Sequence, residues 1–178
     1  KLYKQTPFKN SRLPQTSMIT SRGCPYNCTF CSEYPFKRIY RTHSSDYVIK
    51  EIKHLIEKYG IKEVAFQDDV FTLDKKRVHE ICDRIINEKI DITWSCWARV
   101  NIVDEELLTK MKKAGCIAIS YGIEASDDEE LKYVNKGVTM EQIKNAIVLT
   151  SKVGIYNVGH FVIGYPTDTR EKILNRAK

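Results

Sequence analysis

The feature that most constrains this chain is a regular alternation of short β-prone segments with amphipathic helical segments, repeated five times. Strands that alternate with helices pair in parallel through right-handed crossovers. Several of the strands are continuous apolar runs, which is typical of strands buried on both faces. The sequence therefore predicts an α/β fold, either an open doubly wound sheet or a partial (β/α) barrel. The predicted strands are residues 15–23, 61–66, 91–100, 116–125 and 155–166.

Cap residues and glycines place the helices between these strands. Asp74 and Asp104 stand where helix N-caps are expected, and Gly60 stands where the first helix ends. A final helix is predicted from about Thr167 to Lys178. The segment from Cys24 to His43 is predicted to be a loop.

Polar side chains and turn residues follow the predicted strands at the point where each strand ends. In both fold types the chemistry gathers at the carboxyl ends of the strands, because these ends meet at one edge of the sheet. The sequence therefore predicts a functional site at this edge. Its candidate residues, in strand order, are Cys24, Asp68 and Asp69, Arg99, Glu124, and Gly164-Tyr165-Pro166.

Three of the six cysteines, Cys24, Cys28 and Cys31, lie close together in the spacing C-x3-C-x2-C. A structural zinc site takes four protein ligands, and the nearest histidine, His43, is distant in sequence. A four-iron cluster fits three thiolates when its fourth iron takes another ligand, and an open metal position is typical of catalysis. The remaining cysteines lie in apolar segments and are predicted core residues: Cys82, Cys96 and Cys116.

This motif resembles the signature of the radical S-adenosylmethionine (radical SAM) superfamily, C-x3-C-x-aromatic-C, with Phe30 at the aromatic position. The resemblance extends over essentially the whole chain. The sequence departs from the superfamily pattern at Gln67-Asp68-Asp69, where a Gly-Gly-Glu-like segment is common, and at Ala125-Ser126, where Ser-Gly is expected. Segments similar to the branch that often carries a cobalamin-binding domain are RGCPYNCTFC (22–31), FQDDVF (66–71), GIE (122–124), Lys136-Gly137 and FVIGYP (161–166).

The resemblance implies a fold, cofactors and partners. Residues 1–178 would form one domain with about five parallel βα units of a six-unit radical SAM core, the sixth unit and flanking domains being absent. A 4Fe–4S cluster on the three cysteines would reductively cleave S-adenosylmethionine to a 5′-deoxyadenosyl radical, which takes hydrogen from an unknown substrate. An electron donor such as flavodoxin or ferredoxin is implied. Cobalamin would act through a domain outside this chain.

The resemblance also suggests roles for individual residues, each with a structural alternative. Phe30 would lie near the adenine, or pack beneath the loop. Asp68 or Asp69 would face the methionyl amine, or form the first turn of the next helix. Arg99 would bind the methionyl carboxylate through its fork of donors, or form a surface ion pair.

Similar alternatives apply to the last two strands. Glu124 matches a position that contacts ribose hydroxyls, by the logic of dinucleotide sites. Residues Phe161 to Ile163 would supply an apolar wall for adenine, and Gly164 would allow close approach of the backbone, or these residues would serve strand packing. His160 faces opposite to Phe161 and is more readily explained as a core histidine than as a substrate contact.

Composition narrows the function classes. The net charge is +6, but Lys and Arg are spread along the chain, whereas nucleic-acid binders concentrate them on one face or tract. No apolar run approaches the length of a membrane span. Free thiols indicate a reducing cytoplasm. The alternatives to a radical SAM enzyme are an iron–sulfur electron carrier, which needs a fourth ligand, and a zinc-stabilised binding module.

Overall fold

The structure, a computed structural model, describes residues 11–32 and 39–176. The strands are β1 (Gln15–Met18), β2 (Ser21–Arg22), β3 (Arg41–Thr42), β4 (Glu63–Phe66), β5 (Thr93–Ala98), β6 (Cys116–Glu124) and β7 (Tyr156–Phe161). The helices are α1 (Ser45–Tyr59), α2 (Lys75–Asn87), α3 (Glu105–Lys113), α4 (Asp128–Tyr133), α5 (Met140–Lys152) and α6 (Arg170–Arg176).

Five strands form one parallel sheet in the order β1-β4-β5-β6-β7. Each new strand is added on the same side of the preceding one, so the strand order never reverses within the described residues. A doubly wound sheet reverses its order at a switch point, whereas a barrel adds strands in sequence. The order therefore selects the partial (β/α) barrel from the two predicted alternatives.

One face of this sheet carries the hydrophobic core. Alternation along β5 places Trp94 and Cys96 on the covered face, where both are buried, and Trp97 on the opposite face, where it is partly exposed. The Trp94 indole donates to the carbonyl of Ala114 at 2.8 Å, so its one polar atom is satisfied. The predicted core cysteines, Cys82, Cys96 and Cys116, are buried. The helices that contribute buried side chains to the same cluster are α1, α2, α3, α4 and α5.

The predicted helix caps are present. Asp74 and Asp104 accept hydrogen bonds from backbone N–H groups three residues ahead, at the starts of α2 and α3. Gly60 ends α1 in the left-handed conformation, at φ 64°. A short 3₁₀ helix, Phe71–Leu73, precedes α2.

The first predicted strand, 15–23, is wrong in its extent. The chain leaves the parallel sheet after Met18, and β2 pairs antiparallel with β3 in a separate two-stranded ribbon. The break has a physical cause, because the Asp68 carboxylate accepts from the backbone N–H of Thr20 at 2.6 Å. β3 also lies inside the segment predicted as a loop, of which residues 33–38 are outside the described residues.

The fifth predicted strand, 155–166, is also shorter in the structure. β7 ends at Phe161, and the chain then turns through Gly164 at φ 105°. Helix α6 begins at Arg170 rather than Thr167, with the Thr169 hydroxyl accepting from the Lys172 N–H at 3.2 Å. The predicted end of this helix, 177–178, lies outside the described residues. Among the helices of the described residues, none is both long and apolar enough to cross a membrane.

Candidate functional site

The cysteine loop, defined here as residues 23–32, follows β2 at the carboxyl edge of the sheet. Gly23 opens it at φ 84°, and a Cβ there would lie 2.1 Å from the Ile39 carbonyl oxygen, so only glycine fits. The Gly23 N–H donates to Asp69 Oδ2 at 2.8 Å. The start of the loop is therefore held on one side by the backbone at Ile39 and on the other by Asp69, which follows β4.

The three thiols of this loop are free of disulfides; Cys28 is buried, and Cys24 and Cys31 are partly exposed. Burial is the main cause that raises the pKa of the Cys24 thiol, and Cys28 and Cys31 add to it by charge repulsion. Among the described residues, no three His, Cys, Asp or Glu side chains are grouped so that they could hold a metal ion as they stand. The donor set itself, three free thiols on one loop, fits an iron–sulfur cluster once the side chains converge.

The cysteine loop is tied to the connection between α4 and α5. The Thr29 N–H donates to the Val134 carbonyl at 3.0 Å, and Asn135 Nδ2 donates to the Asn27 carbonyl at 2.9 Å. Asn135 is left-handed, at φ 50°, a conformation that asparagine tolerates better than most residues. The connection therefore serves as a second support for the loop.

Arg99, at the end of β5, reaches into the cysteine loop. Its guanidinium lies 3.7 Å from the centre of the Tyr26 ring, and Nη1 lies 3.6 Å from Cys28 Sγ. Nη2 donates to the Lys136 carbonyl, and Nε contacts Asn101 Oδ1 at 3.4 Å. Each guanidinium nitrogen of Arg99 therefore has one contact within the protein, and the role of methionyl-carboxylate ligand stays a prediction.

The two neighbouring aspartates occupy different environments. Asp68 is 1% exposed and accepts three hydrogen bonds, from the Thr20 N–H, the Thr20 hydroxyl and the Ser21 hydroxyl, each at 2.6 Å. Asp69 is exposed and lines a cavity of about 220 Å³ together with Gly23 and Gln67. Asp68 is therefore enclosed by donors of this chain, whereas Asp69 is open to the cavity.

Glu124 ends β6 beside the cysteine loop. Its Oε1 lies 3.0 Å from Lys136 Nζ, and the two side chains are only 13% and 7% exposed. Lys136 Nζ also lies 5.9 Å from the centre of the exposed Phe30 ring. Glu124 is left-handed at φ 72°, where the β6–β7 register shifts. Lys136 therefore lies between Phe30 and Glu124 and contacts both.

Phe161 and Gly164 lie at the carboxyl end of β7. The Phe161 side chain is exposed, and no atom lies within 4 Å of where a Cβ on Gly164 would stand. The Gly164 N–H donates to Asp168 Oδ2 at 2.7 Å, which holds the turn. Tyr165 within this turn lies 6.3 Å from Phe30, centre to centre. His160 packs against Trp97 with the ring centres 4.4 Å apart and the planes tilted by 36°, on the face of the sheet away from the core, which differs from the preferred core interpretation.

Sequence reasoning missed several residues that support the site. Tyr26 is inside the cysteine motif, and Lys136 is inside a segment that carries the resemblance, so both had a signal but no assigned role. Val134 and Asn135 had no signal in the sequence. Val134 contacts the loop through its backbone carbonyl, and Asn135 through a side-chain amide that is distant from the loop in sequence.

Comparisons with known proteins bear on this edge of the sheet. The family model described as the radical SAM superfamily matches residues 18–178. A protein named as an uncharacterized methyltransferase of Pyrococcus horikoshii is 41% identical over 93% of this chain and 36% of its own length. The anaerobic magnesium-protoporphyrin IX monomethyl ester cyclase of Rubrivivax gelatinosus is 35% identical over 86% of this chain and 28% of its own length.

Solved structures agree on the fold. The radical S-adenosylmethionine methyltransferase TsrM from Kitasatospora setae superposes with a TM-score of 0.79 at 22% identity, over 89% of this chain and 32% of that one. This chain thus spans about a third of the length of the proteins it matches. Radical SAM proteins are enzymes that use a 4Fe–4S cluster and S-adenosylmethionine. With a family model that covers nearly its whole length, this chain belongs to the radical SAM superfamily.

Proposed function

We propose that this chain is the catalytic core of a radical SAM enzyme whose 4Fe–4S cluster is held by Cys24, Cys28 and Cys31. When bound, the cluster supplies one electron to S-adenosylmethionine, which gives methionine and a 5′-deoxyadenosyl radical that takes a hydrogen atom from the substrate. The observation that carries the proposal is a loop of three free thiols at the carboxyl edge of a sequentially ordered parallel sheet.

The contacts to S-adenosylmethionine are proposed from the residues around that loop. Asp69 faces the methionyl amine, as a carboxylate opposite a cation. Glu124 accepts from the ribose hydroxyls, with Lys136 holding its carboxylate in place at 3.0 Å. Phe30 and Phe161, both exposed at this edge, cover the adenine ring, and Gly164 leaves open space for it. These residues bind and orient the cofactor, so that the reacting carbon is fixed against the substrate.

The wider setting is also a proposal. We place the protein in the cytoplasm, because its six cysteines are all free. Methyl transfer is the reaction subclass that we favour, because the relative at 41% identity is named as a methyltransferase. Cobalamin, which is present in a solved structure of TsrM, would come from a domain outside this chain. The electron would come from a small protein donor such as flavodoxin or ferredoxin.

The test is reductive cleavage of S-adenosylmethionine. The chain is reconstituted anaerobically with iron and sulfide, reduced with dithionite and mixed with S-adenosylmethionine, and 5′-deoxyadenosine and methionine are quantified by mass spectrometry. We expect both products from the parent chain and from Cys82→Ala, a control that removes a buried thiol far from the loop in sequence. We expect neither product from Cys28→Ala.

Other outcomes decide against the proposal. Equal product from Cys28→Ala and the parent chain would exclude Cys28 as a ligand. Bound iron with no cleavage, in the parent chain, would favour the electron carrier. Zinc in place of iron would favour the binding module.

A further inference from the structure

We propose that Arg99 is a positioning residue for the cluster: it clamps the cysteine loop in place and acts as the counter-ion and hydrogen-bond donor of the Cys28 sulfur. This inference rests on the proposed function, because it takes Cys28 to be a cluster ligand. It differs from the role expected of Arg99 in the sequence, in which the guanidinium binds the methionyl carboxylate.

The first support is that Arg99 contacts two separate segments at once. On one side its guanidinium stacks on the Tyr26 ring at 3.7 Å and Nη1 points to Cys28 Sγ at 3.6 Å. On the other side Nη2 donates to the Lys136 carbonyl. The cysteine loop and the α4–α5 connection are therefore joined through one rigid, planar group.

The second support is the charge of this group. Arg99 is 5% exposed, and it makes no ion pair with an acidic side chain among residues 11–32 and 39–176. A buried guanidinium is costly unless negative charge lies nearby. The Tyr26 ring face and the Lys136 carbonyl compensate only in part, since both are neutral. The negative groups that this site would add are cysteine thiolates. The sulfur that Arg99 contacts is Cys28 Sγ.

The contact has a consequence for redox chemistry. A hydrogen bond to a ligating sulfur, together with a nearby positive charge, stabilises the reduced and more negative form of an iron–sulfur cluster. Arg99 therefore raises the potential of the cluster above the value that the loop alone would give. It also keeps the loop in register with Val134, the acceptor of the Thr29 N–H.

The experiment compares the parent chain with Arg99→Met, which keeps an unbranched apolar stem at this position and removes the charge and the donors. Three quantities are measured: iron per chain after reconstitution, the midpoint potential of the cluster without S-adenosylmethionine, and amide hydrogen exchange at Thr29 in the metal-free chain. We expect less iron, a more negative midpoint potential and about tenfold faster exchange at Thr29, which corresponds to the loss of about one hydrogen bond.

Two further variants separate the parts of the effect. Tyr26→Leu removes the ring beneath the guanidinium and keeps Arg99, so we expect changes in the same direction but smaller, and it serves as the test if Arg99→Met fails to fold. Lys144→Met removes an exposed positive charge on α5. Because exposed charges are screened by salt, we expect no change from it.

An unchanged potential and unchanged exchange at Thr29 in Arg99→Met would overturn the inference. A fall in affinity for S-adenosylmethionine alone, with both quantities unchanged, would also overturn it and assign Arg99 to the methionyl carboxylate. A parent chain that assembles no cluster would contradict the proposed function, whereas exchange in the metal-free chain would still decide whether Arg99 clamps the loop.

Discussion

Asp68 and Asp69 are neighbours in sequence, yet one is enclosed by donors and the other lines a cavity. Both residues lie just after β4, where Thr20 and Ser21 enclose Asp68 and Asp69 stands in the turn that follows. The pair therefore forms a natural control experiment, in which the same substitution at adjacent positions has different consequences.

We predict that Asp68→Asn lowers the free energy of unfolding by about 2–3 kcal/mol, because one carboxylate oxygen that accepts hydrogen bonds becomes an amide donor facing donors. Asp69 accepts one hydrogen bond, from the Gly23 N–H. We therefore expect Asp69→Asn to lower the free energy of unfolding by about 1 kcal/mol or less. Urea unfolding measures both. Equal losses would remove the structural role assigned to Asp68.

Glu124→Gln tests the proposed ribose contact. The variant keeps the shape of the side chain and loses its charge, so we predict about tenfold weaker binding of S-adenosylmethionine with unchanged iron content. Calorimetry on the reconstituted chain measures the affinity, and Glu105→Gln, at an exposed ion pair on α3, is the control. Binding as tight as in the parent would leave Glu124 as a partner of Lys136 only.

Spacing alone predicts which residues form the cysteine motif, because its ligands are local in sequence. The partners of Arg99 are not local: Cys28 and Lys136 lie 71 and 37 positions away. The position of Arg99 after a predicted strand places it at the correct edge of the sheet. Whether its guanidinium contacts a ligand, an aromatic ring or a carbonyl depends on tertiary packing, which the hydrophobic periodicity of the sequence does not encode.

At the scale of elements, the turn between β7 and α6 is held by a buried ionic cluster. Arg176 donates to Asp168 and to Glu130, and its side chain is 1% exposed. The same Asp168 carboxylate accepts from the backbone N–H groups of Gly164 and Tyr165. The cluster therefore fastens α6 and α4 to the turn that carries Gly164 at the site.

This cluster predicts a pH dependence. The hydrogen bond from Arg176, aided by the backbone donors, lowers the pKa of Asp168 to about 2. An aspartate in the unfolded chain titrates near about 3.9. The contribution of Asp168 to stability is thus complete above the unfolded value and is lost as the pH falls from about 4 to about 2. We expect the urea midpoint of Arg176→Met to change less with pH in that window than the midpoint of the parent chain. The same pH dependence in both would contradict the assignment.

The boundaries of the elements show which features local sequence patterns predict and which they do not. The apolar runs and the caps predict β4, β5, β6 and the starts of α1, α2 and α3, because both signals come from neighbouring residues. The end of β1 depends on a carboxylate 48 positions later in the chain, which replaces a strand partner for Thr20. The early end of β7 depends in the same way on Asp168 and the turn that it holds.

At the scale of the whole molecule, the alternation of strands and helices predicts the parallel sheet, and the strand order in the structure decides between barrel and doubly wound forms. That order matters for function, because the carboxyl ends of the parallel strands meet at one edge of the sheet, where (β/α) barrels carry their active sites. The cysteine loop, the end of β6 and the turn after β7 meet there through Phe30, Lys136 and Tyr165.

The most direct test of the account is electron paramagnetic resonance of the reconstituted, reduced chain, recorded with and without S-adenosylmethionine and accompanied by iron analysis. A cluster with three cysteine ligands has one iron open to the amine and carboxylate of this cofactor. We predict about four irons per chain and a spectrum that changes when S-adenosylmethionine is added. A four-iron spectrum that stays the same on addition, or a chain that takes up no iron while its three loop thiols are intact, would contradict the account.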